Sequence, residues 1–279
     1  MSALRVAAVQ MPAGPNQADN LTRVTRLVQT AAERGARVVA LPELCLWRGR
    51  GSQYWDHAES VPGALSDALA ELAQRCQIFL VGGSILERGA EGRCYNTSLL
   101  FSPVGEILGK YRKIHLFDVA LEGTGVVVRE SDRILPGDEA VVVATEVGRM
   151  GLAICYDLRF PELFRALADQ GAEIIFLPAA FTQYTGRAHW QVLLRARATE
   201  NQAFVVAPAL IGPMENGIPT FGHTMIVDPW GRLVARLGVE EGVAVADLNF
   251  AELQRIRRQL PALEHRRTGR FSSAPRSEG

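Results

Sequence analysis

At 279 residues and 48% hydrophobic, the chain can bury a core that needs no disulfide or metal to hold it, and its length allows one large domain or two small ones. Thirty basic residues balance thirty acidic ones, which removes the electrostatic case for a nucleic-acid or membrane-surface partner. Cys45, Cys76, Cys94 and Cys155 show neither CxxC nor metal-ligand spacing, no apolar run approaches the roughly 18 residues of a membrane span, and Gln10 and Pro12 interrupt any signal-peptide core. A soluble cytoplasmic protein is therefore expected.

Along the chain, RVAAVQ (5–10) reads as a buried strand, NLTRVTRLVQTAAER (20–34) as a helix and GARVVALPE (35–43) as a second strand that ends on a proline and Glu43. SPVGEIL (102–108) carries the Pro-Gly signal of a hairpin turn. GKYRKIHLFD (109–118) follows it, and extended backbone there puts Tyr111, Lys113 and His115 on one face. The pattern then repeats: MGLAICY (150–156), the helix PELFRALADQ (161–170), the strand GAEIIFLPA (171–179) and a second turn, DPWGRLV (228–234). GARVVALPE and GAEIIFLPA share Gly-Ala-charge, four apolar residues, then proline. These matches predict an α/β domain of two similar halves, each a strand–helix–strand unit with a hairpin. Packed sheet against sheet, they form a four-layer α-β-β-α sandwich. The basic stretches RIRRQL (255–260) and HRRTGR (265–270) read as solvated surface. Residues 268–279 read as a disordered tail.

Ligands of open α/β sheets bind beyond the carboxyl ends of the strands. Glu43 stands past one such end and Cys155 past another, so the two can meet in a cleft. Alone, Cys155 fits a small buried hydrophobe as well as a nucleophile. Glu43 follows four apolar residues and a proline, dry surroundings that raise a carboxyl pKa into the range useful for general acid–base work; a solvated strand-end glutamate fits the same pattern. Lys113 has apolar neighbours and can aim its ammonium at developing negative charge, or can snorkel to solvent. GEILGK (105–110) is one residue short of a P-loop and GTGVVV (123–128) lacks the third glycine of a dinucleotide fingerprint. The five histidines show no metal spacing, and His189 and His223 read as orienting groups.

Taken together, LPE with Glu43, YRKIHLFD with Lys113 and CYDLRFPEL with Cys155 resemble the nitrilase superfamily of carbon–nitrogen hydrolases, in order, spacing and flanking residues, from about Arg5 to Phe271. The resemblance implies one hydrolase domain over residues 1–271, the α-β-β-α sandwich, and homo-oligomers of two or more copies. It implies that Cys155 attacks an amide carbonyl, that Glu43 moves the protons and that Lys113 with the Tyr156 backbone N–H holds the oxyanion. No metal or organic cofactor is implied. A second active-site glutamate of the family matches Glu130 in VVVRES, with Glu122 in the same loop as the alternative. FTQYTGRAHWQVLLRARATENQ (181–202) and GHTMIVDPWGRLVARLG (222–238) look most like the branch of deaminated-glutathione amidases and omega-amidases, and slightly more like the former. The implied substrate is a small anionic amide, for which Arg159 and Arg187, and also Arg195 and Arg197, are candidate carboxylate partners. Hydrolysis of nitriles or N-carbamoyl compounds is the alternative within the family. A silent scaffold would have no need of the three reactive side chains.

Overall fold

The computed structural model describes residues 3–122, 126–214 and 217–267. The first part of the chain forms β1 (Leu4–Pro12), α1 (Gln17–Glu33), β2 (Val38–Ala40), α2 (Ala64–Cys76), β3 (Phe79–Val81), β4 (Ile85–Arg88), β5 (Cys94–Phe101) and β6 (Ile107–Arg112). A small hairpin of β7 (Asp118–Leu121) and β8 (Val126–Arg129) leads to β9 (Val141–Thr145) and β10 (Gly148–Leu152). After these come α3 (Pro161–Asp169), β11 (Ile174–Phe176), α4 (Gln183–Asn201), β12 (Phe204–Ala207) and β13 (Leu210–Ile211). The last elements are β14 (Met225–Val227), β15 (Leu233–Arg236), β16 (Gly242–Leu248) and α5 (Phe250–Gln259).

Both strand–helix–strand units are present as parallel pairs, Val6 beside Val38 in β1 and β2, and Met150 beside Ile174 in β10 and β11. Both Pro-Gly turns close antiparallel hairpins. Ser102 Oγ accepts from the N–H groups of Val104 and Glu106 between β5 and β6, and Asp228 Oδ1 accepts from Trp230 and Arg232 between β14 and β15. The likeness of the halves also goes further than the motifs. β3 and β12 each add a third parallel strand, and an antiparallel strand flanks each first strand, β16 beside β1 and β9 beside β10. The result is two mixed sheets, one of eight strands and one of six among the described residues.

Strand periodicity sorts the core. In the larger sheet Val6, Ala8, Val38, Ala40, Phe79 and Val81 join a cluster with Met150, Leu152, Ile174 and Phe176 of the smaller sheet. The alternate residues Ala7, Val9, Val39 and Leu80 instead meet Val24, Leu27, Val28 and Ala31 of α1 and Leu69 and Leu72 of α2. The α1 set is spaced three and four apart, one stripe of a helix whose first turn is capped by Asn16 Oδ1. The smaller sheet packs on Leu163, Phe164 and Leu167 of α3 and Leu194 and Ala198 of α4. Residues 268–279, expected as a disordered tail, lie outside the described residues.

Candidate active site

Leu41-Pro42-Glu43 leaves β2 and turns at once, with Leu44 in the left-handed region at φ 47°. A proline cannot donate to a sheet ladder, so the strand stops where the carboxylate begins. The loop after β3 holds the turn: Ser84 Oγ accepts the Leu44 N–H at 3.0 Å. Gly83 lies beneath it at φ 66°, where a Cβ would come within 2.0 Å of the Pro42 carbonyl oxygen, so only glycine fits. Glu43 is thereby buried, 4% exposed. Its Oε1 accepts from Asn96 Nδ2 at 2.9 Å and Lys113 Nζ at 3.2 Å, and its Oε2 accepts from the Ala180 N–H at 2.9 Å.

Cys155 opens a short 3-10 turn, Cys155–Arg159, directly after β10. Its φ of 47° is a left-handed conformation of the kind that costs a side-chain-bearing residue about 1–3 kcal/mol. Two neighbours over-determine it. The Pro178 carbonyl accepts the Cys155 N–H at 2.9 Å. Asp157, fully buried, accepts from Ile154 N–H at 2.8 Å and Tyr111 O–H at 2.6 Å, and from the His115 N–H at 3.1 Å with its Nδ1 at 2.7 Å. Tyr111 and His115, placed on one face by alternation, thus share a single carboxylate that shapes the Cys155 turn. The His115 ring also stacks on Phe160, centroids 3.8 Å apart.

Lys113 follows β6, its N–H bonded to the Asn96 carbonyl at 2.9 Å. Its ammonium is buried and donates to both oxygens of Glu130 at 2.9 and 2.8 Å as well as to Glu43. Glu130 also accepts the Phe117 N–H at 2.7 Å. Glu122 is exposed at the end of β7, so of the two carboxylates only Glu130 reaches Lys113.

Burial acts first on every charge here. It pushes the Glu43 carboxyl up, but Lys113, Arg48 and hydrogen bonding from Cys155 outweigh it and hold Glu43 below the usual carboxylate range. The raised pKa expected from a dry strand end is thus corrected: the neighbouring cations decide. Burial and then Glu43 push the Cys155 thiol well above its ordinary value against the pull of Lys113. Burial lowers Lys113, yet Glu130, Glu43 and Cys155 together raise it well above 10.5. At neutral pH the centre is a thiol hydrogen-bonded to an ionised carboxylate beside an ammonium. Cys45 and Cys94 are buried as well, and burial pushes them up to about 12 and about 11 against the pull of a backbone hydrogen bond on Cys45 and of Arg88 on Cys94. Among the described residues no group of histidine, cysteine and acidic side chains is arranged to hold a metal ion.

Glu43, Lys113, Glu130 and Cys155 line one cleft of about 210 Å³, together with Tyr156, Phe117, Phe181 and Thr182. Tyr156 meets Phe117 and Phe160 edge-on at 5.0 and 5.3 Å. The cleft arginines are Arg48, Arg129 and Arg133, not the ones expected. Arg159 sits over the Phe181 ring at 5.1 Å and beside His189 Nδ1 at 3.2 Å, outside the lining. Arg187 and Arg195 are exposed on α4, and Arg197 is taken up by the Leu158 carbonyl and Glu200. Helix periodicity explains this, since α4 spends its inward face on packing. Asn96, Asp157, Arg48 and Arg133 went unmarked in the sequence. Arg48 and Arg133 lie only five and three residues beyond Glu43 and Glu130, a proximity that could have flagged them.

The carbon–nitrogen hydrolase family model matches residues 5–258. A deaminated glutathione amidase from Synechocystis is 42% identical over 264 residues, 93% of this chain and 97% of that one. A human omega-amidase is 38% identical over 273 residues, 98% of each. Among solved structures, Saccharomyces cerevisiae Nit3, a member of branch 10 of the nitrilase superfamily, superposes with TM-score 0.84 at 31% identity, covering 93% of this chain and 95% of that one. An amidase mutant from Nesterenkonia sp. AN1, with an acetamide moiety added covalently at its active-site cysteine, superposes with TM-score 0.80 at 29% identity over 95% and 94%. With its two mixed sheets and a family match that spans nearly the whole chain, the protein belongs to the carbon–nitrogen hydrolases of the nitrilase superfamily and is an amidase of that family.

Proposed function

We propose that the protein hydrolyses the terminal primary amide of a small anionic 2-oxo acid, deaminated glutathione foremost, to a carboxylate and ammonia through a thioester on Cys155. The observation that carries this reading is the Cys155 thiol set against an ionised Glu43 with Lys113 in the same cleft. Glu43 takes the thiol proton as Sγ bonds to the amide carbon, and the carbonyl electrons move onto oxygen. Lys113 and the Tyr156 N–H, at the first turn of the 3-10 segment where helix donors lack internal partners, stabilise that oxyanion. The C–N bond then breaks as Glu43 returns its proton to nitrogen, releasing ammonia. Water, deprotonated by Glu43, attacks the thioester; the C–S bond breaks and the proton goes back to sulfur. Glu130 keeps Lys113 charged and aimed.

In the same reading, residues 1–271 form one domain, a four-layer α-β-β-α sandwich of two similar halves. This is supported by the shared cluster between the sheets and by the helices on their outer faces. The domain works as a cytoplasmic homo-oligomer. The preference for deaminated glutathione rests on the 42% identity to an amidase of that name against 38% for the human omega-amidase. A longer anionic substrate also has remote contacts with which to orient its amide. The test compares kcat/KM for deaminated glutathione, a short omega-amide of a 2-oxo acid and an aliphatic nitrile on one preparation. The expected order is the order given, with the nitrile inert. A tenfold preference for the short amide, about 1.4 kcal/mol, moves the protein to the omega-amidase reading.

A further inference from the structure

The cleft carries more positive charge than its chemistry uses. Among the described residues four cations line it, Arg48, Lys113, Arg129 and Arg133, against two carboxylates, Glu43 and Glu130, in a chain whose net charge is zero. Lys113 takes up both carboxylates. Arg129 is exposed and faces Asp132 at 3.8 Å. Among the described residues neither Arg48 nor Arg133 makes a salt bridge, and Arg48 acts on Glu43 only through its field. Other arginines of the chain are neutralised: Arg5 by Asp247, Arg112 by Glu87, Arg197 by Glu200, Arg266 by Asp169.

The loop that carries Arg48 is fixed in place. Its N–H donates to the Gly14 carbonyl at 3.0 Å. The preceding Trp47 is buried and stacked on His57 at 4.1 Å. A Cβ on Gly49 would fall 2.5 Å from the Trp47 ring, so the loop lies flat against that side chain. Two residues on, Gly51 leaves room for the second arginine: a Cβ there would come within 3.1 Å of Arg133 Cζ and Nε. The guanidinium of Arg133, carried by the segment after β8, thus rests on the backbone of the Arg48 loop. Two guanidinium forks that line one cleft from separate segments, neither held in a salt bridge, suit a planar anion, since a carboxylate accepts from such a fork bidentately.

We propose that Arg48 and Arg133 form a carboxylate-binding subsite in this cleft, which selects amides that carry a carboxylate remote from the scissile group. The proposal rests on the amidase reading for the reacting end but uses different residues for recognition. Packing of the Arg48 loop, with the exposed Arg133 side chain resting on it, lowers the ordering cost of binding.

The test uses the full chain and glutarate, a dicarboxylate with no amide to hydrolyse, measured by calorimetry alongside neutral glutaramide. Glutarate should bind, and Arg133→Gln and Arg48→Gln should each weaken it by roughly tenfold or more, the loss expected for a hydrogen bond to a charged group. Arg133→Lys, which keeps the charge but not the fork, should fall between the two. In kinetics, the ratio of kcat/KM for an omega-amide bearing a carboxylate to that for its neutral methyl ester should drop in Arg133→Gln by a similar factor. Absence of glutarate binding, or a change below threefold in both variants, overturns the subsite. A chain that hydrolyses no amide yet binds glutarate through these arginines would refute the amidase reading and leave the subsite standing.

Discussion

At the scale of single residues, the proposed mechanism gives attack to Cys155 and proton transfer to Glu43, and each role has its own test. Cys155→Ala removes one small side chain from a cleft wall, so thermal unfolding should stay within a few degrees of the parent while ammonia release disappears. Turnover by the purified variant would reassign the nucleophile. Glu43→Gln keeps a hydrogen-bonding side chain but cannot transfer protons, and kcat should fall about 10²–10⁴-fold. Because its neighbours hold Glu43 below its ordinary 4.5, the carboxylate is lost only as pH falls below that value. The acid limb of kcat/KM should lie there. Lys113, raised above 10.5, keeps its charge throughout the neutral range. An acid limb between pH 6 and 7 would contradict this account. That Glu43, Lys113 and Cys155 meet in one cleft was legible in the sequence because each sits in a short local pattern that ends or follows a strand. The direction of the Glu43 shift was not, since it depends on a lysine 70 residues away and on Arg48.

Among elements, the strand β4 carries a charge whose role is structural. Glu87 is buried yet accepts from Thr97 at 2.7 Å, from Lys110 at 3.0 Å and from Arg112 at 2.9 and 2.7 Å, tying β4, β5 and β6 together. Burial pushes its carboxyl up, and the hydrogen bonds from Arg112, Thr97 and Lys110 overcome this and bring it to about 2. A depressed carboxyl stabilises the fold above its unfolded value of 4.5, and that stability is lost as pH falls from 4.5 towards about 2. Lys110 and Arg112 are more than a third exposed, so screening reduces the effect to about 1–2 kcal/mol. Urea unfolding of Glu87→Gln should therefore lag the parent by about 1–2 kcal/mol at pH 6 and converge with it near pH 2. A constant gap would remove the charge from the explanation. Helices α1 and α3 and the two Pro-Gly hairpins were legible because apolar stripes and turn residues are local signals. The flank β9 was not, because the short turn that joins it to β10 carries no Pro-Gly signal, and β16 was not because its partner is set by packing: it meets a strand more than two hundred residues earlier.

For the molecule as a whole, β16 closes a sheet that the first half leaves open. Removing the chain from Gly242 onward would strip β1 of its antiparallel neighbour and expose an apolar edge. Such a truncation should be recovered aggregated, and a soluble, cooperatively unfolding product would show that the halves are more self-sufficient than their pairing suggests. Family-level architecture was readable in advance because the repeat is written twice in the sequence. The arginines of the cleft were not, because only the docking of distant segments decides which ones line it. One short run of backbone from the second half settles a different matter. Pro178 receives the Cys155 amide and, two residues on, Ala180 donates to Glu43. Peptide geometry therefore works as a ruler between thiol and carboxylate. Substitutions that reshape the cleft rim can change which molecules enter while the distance the proton travels stays calibrated, which gives the fold freedom to vary its diet without retuning its blade.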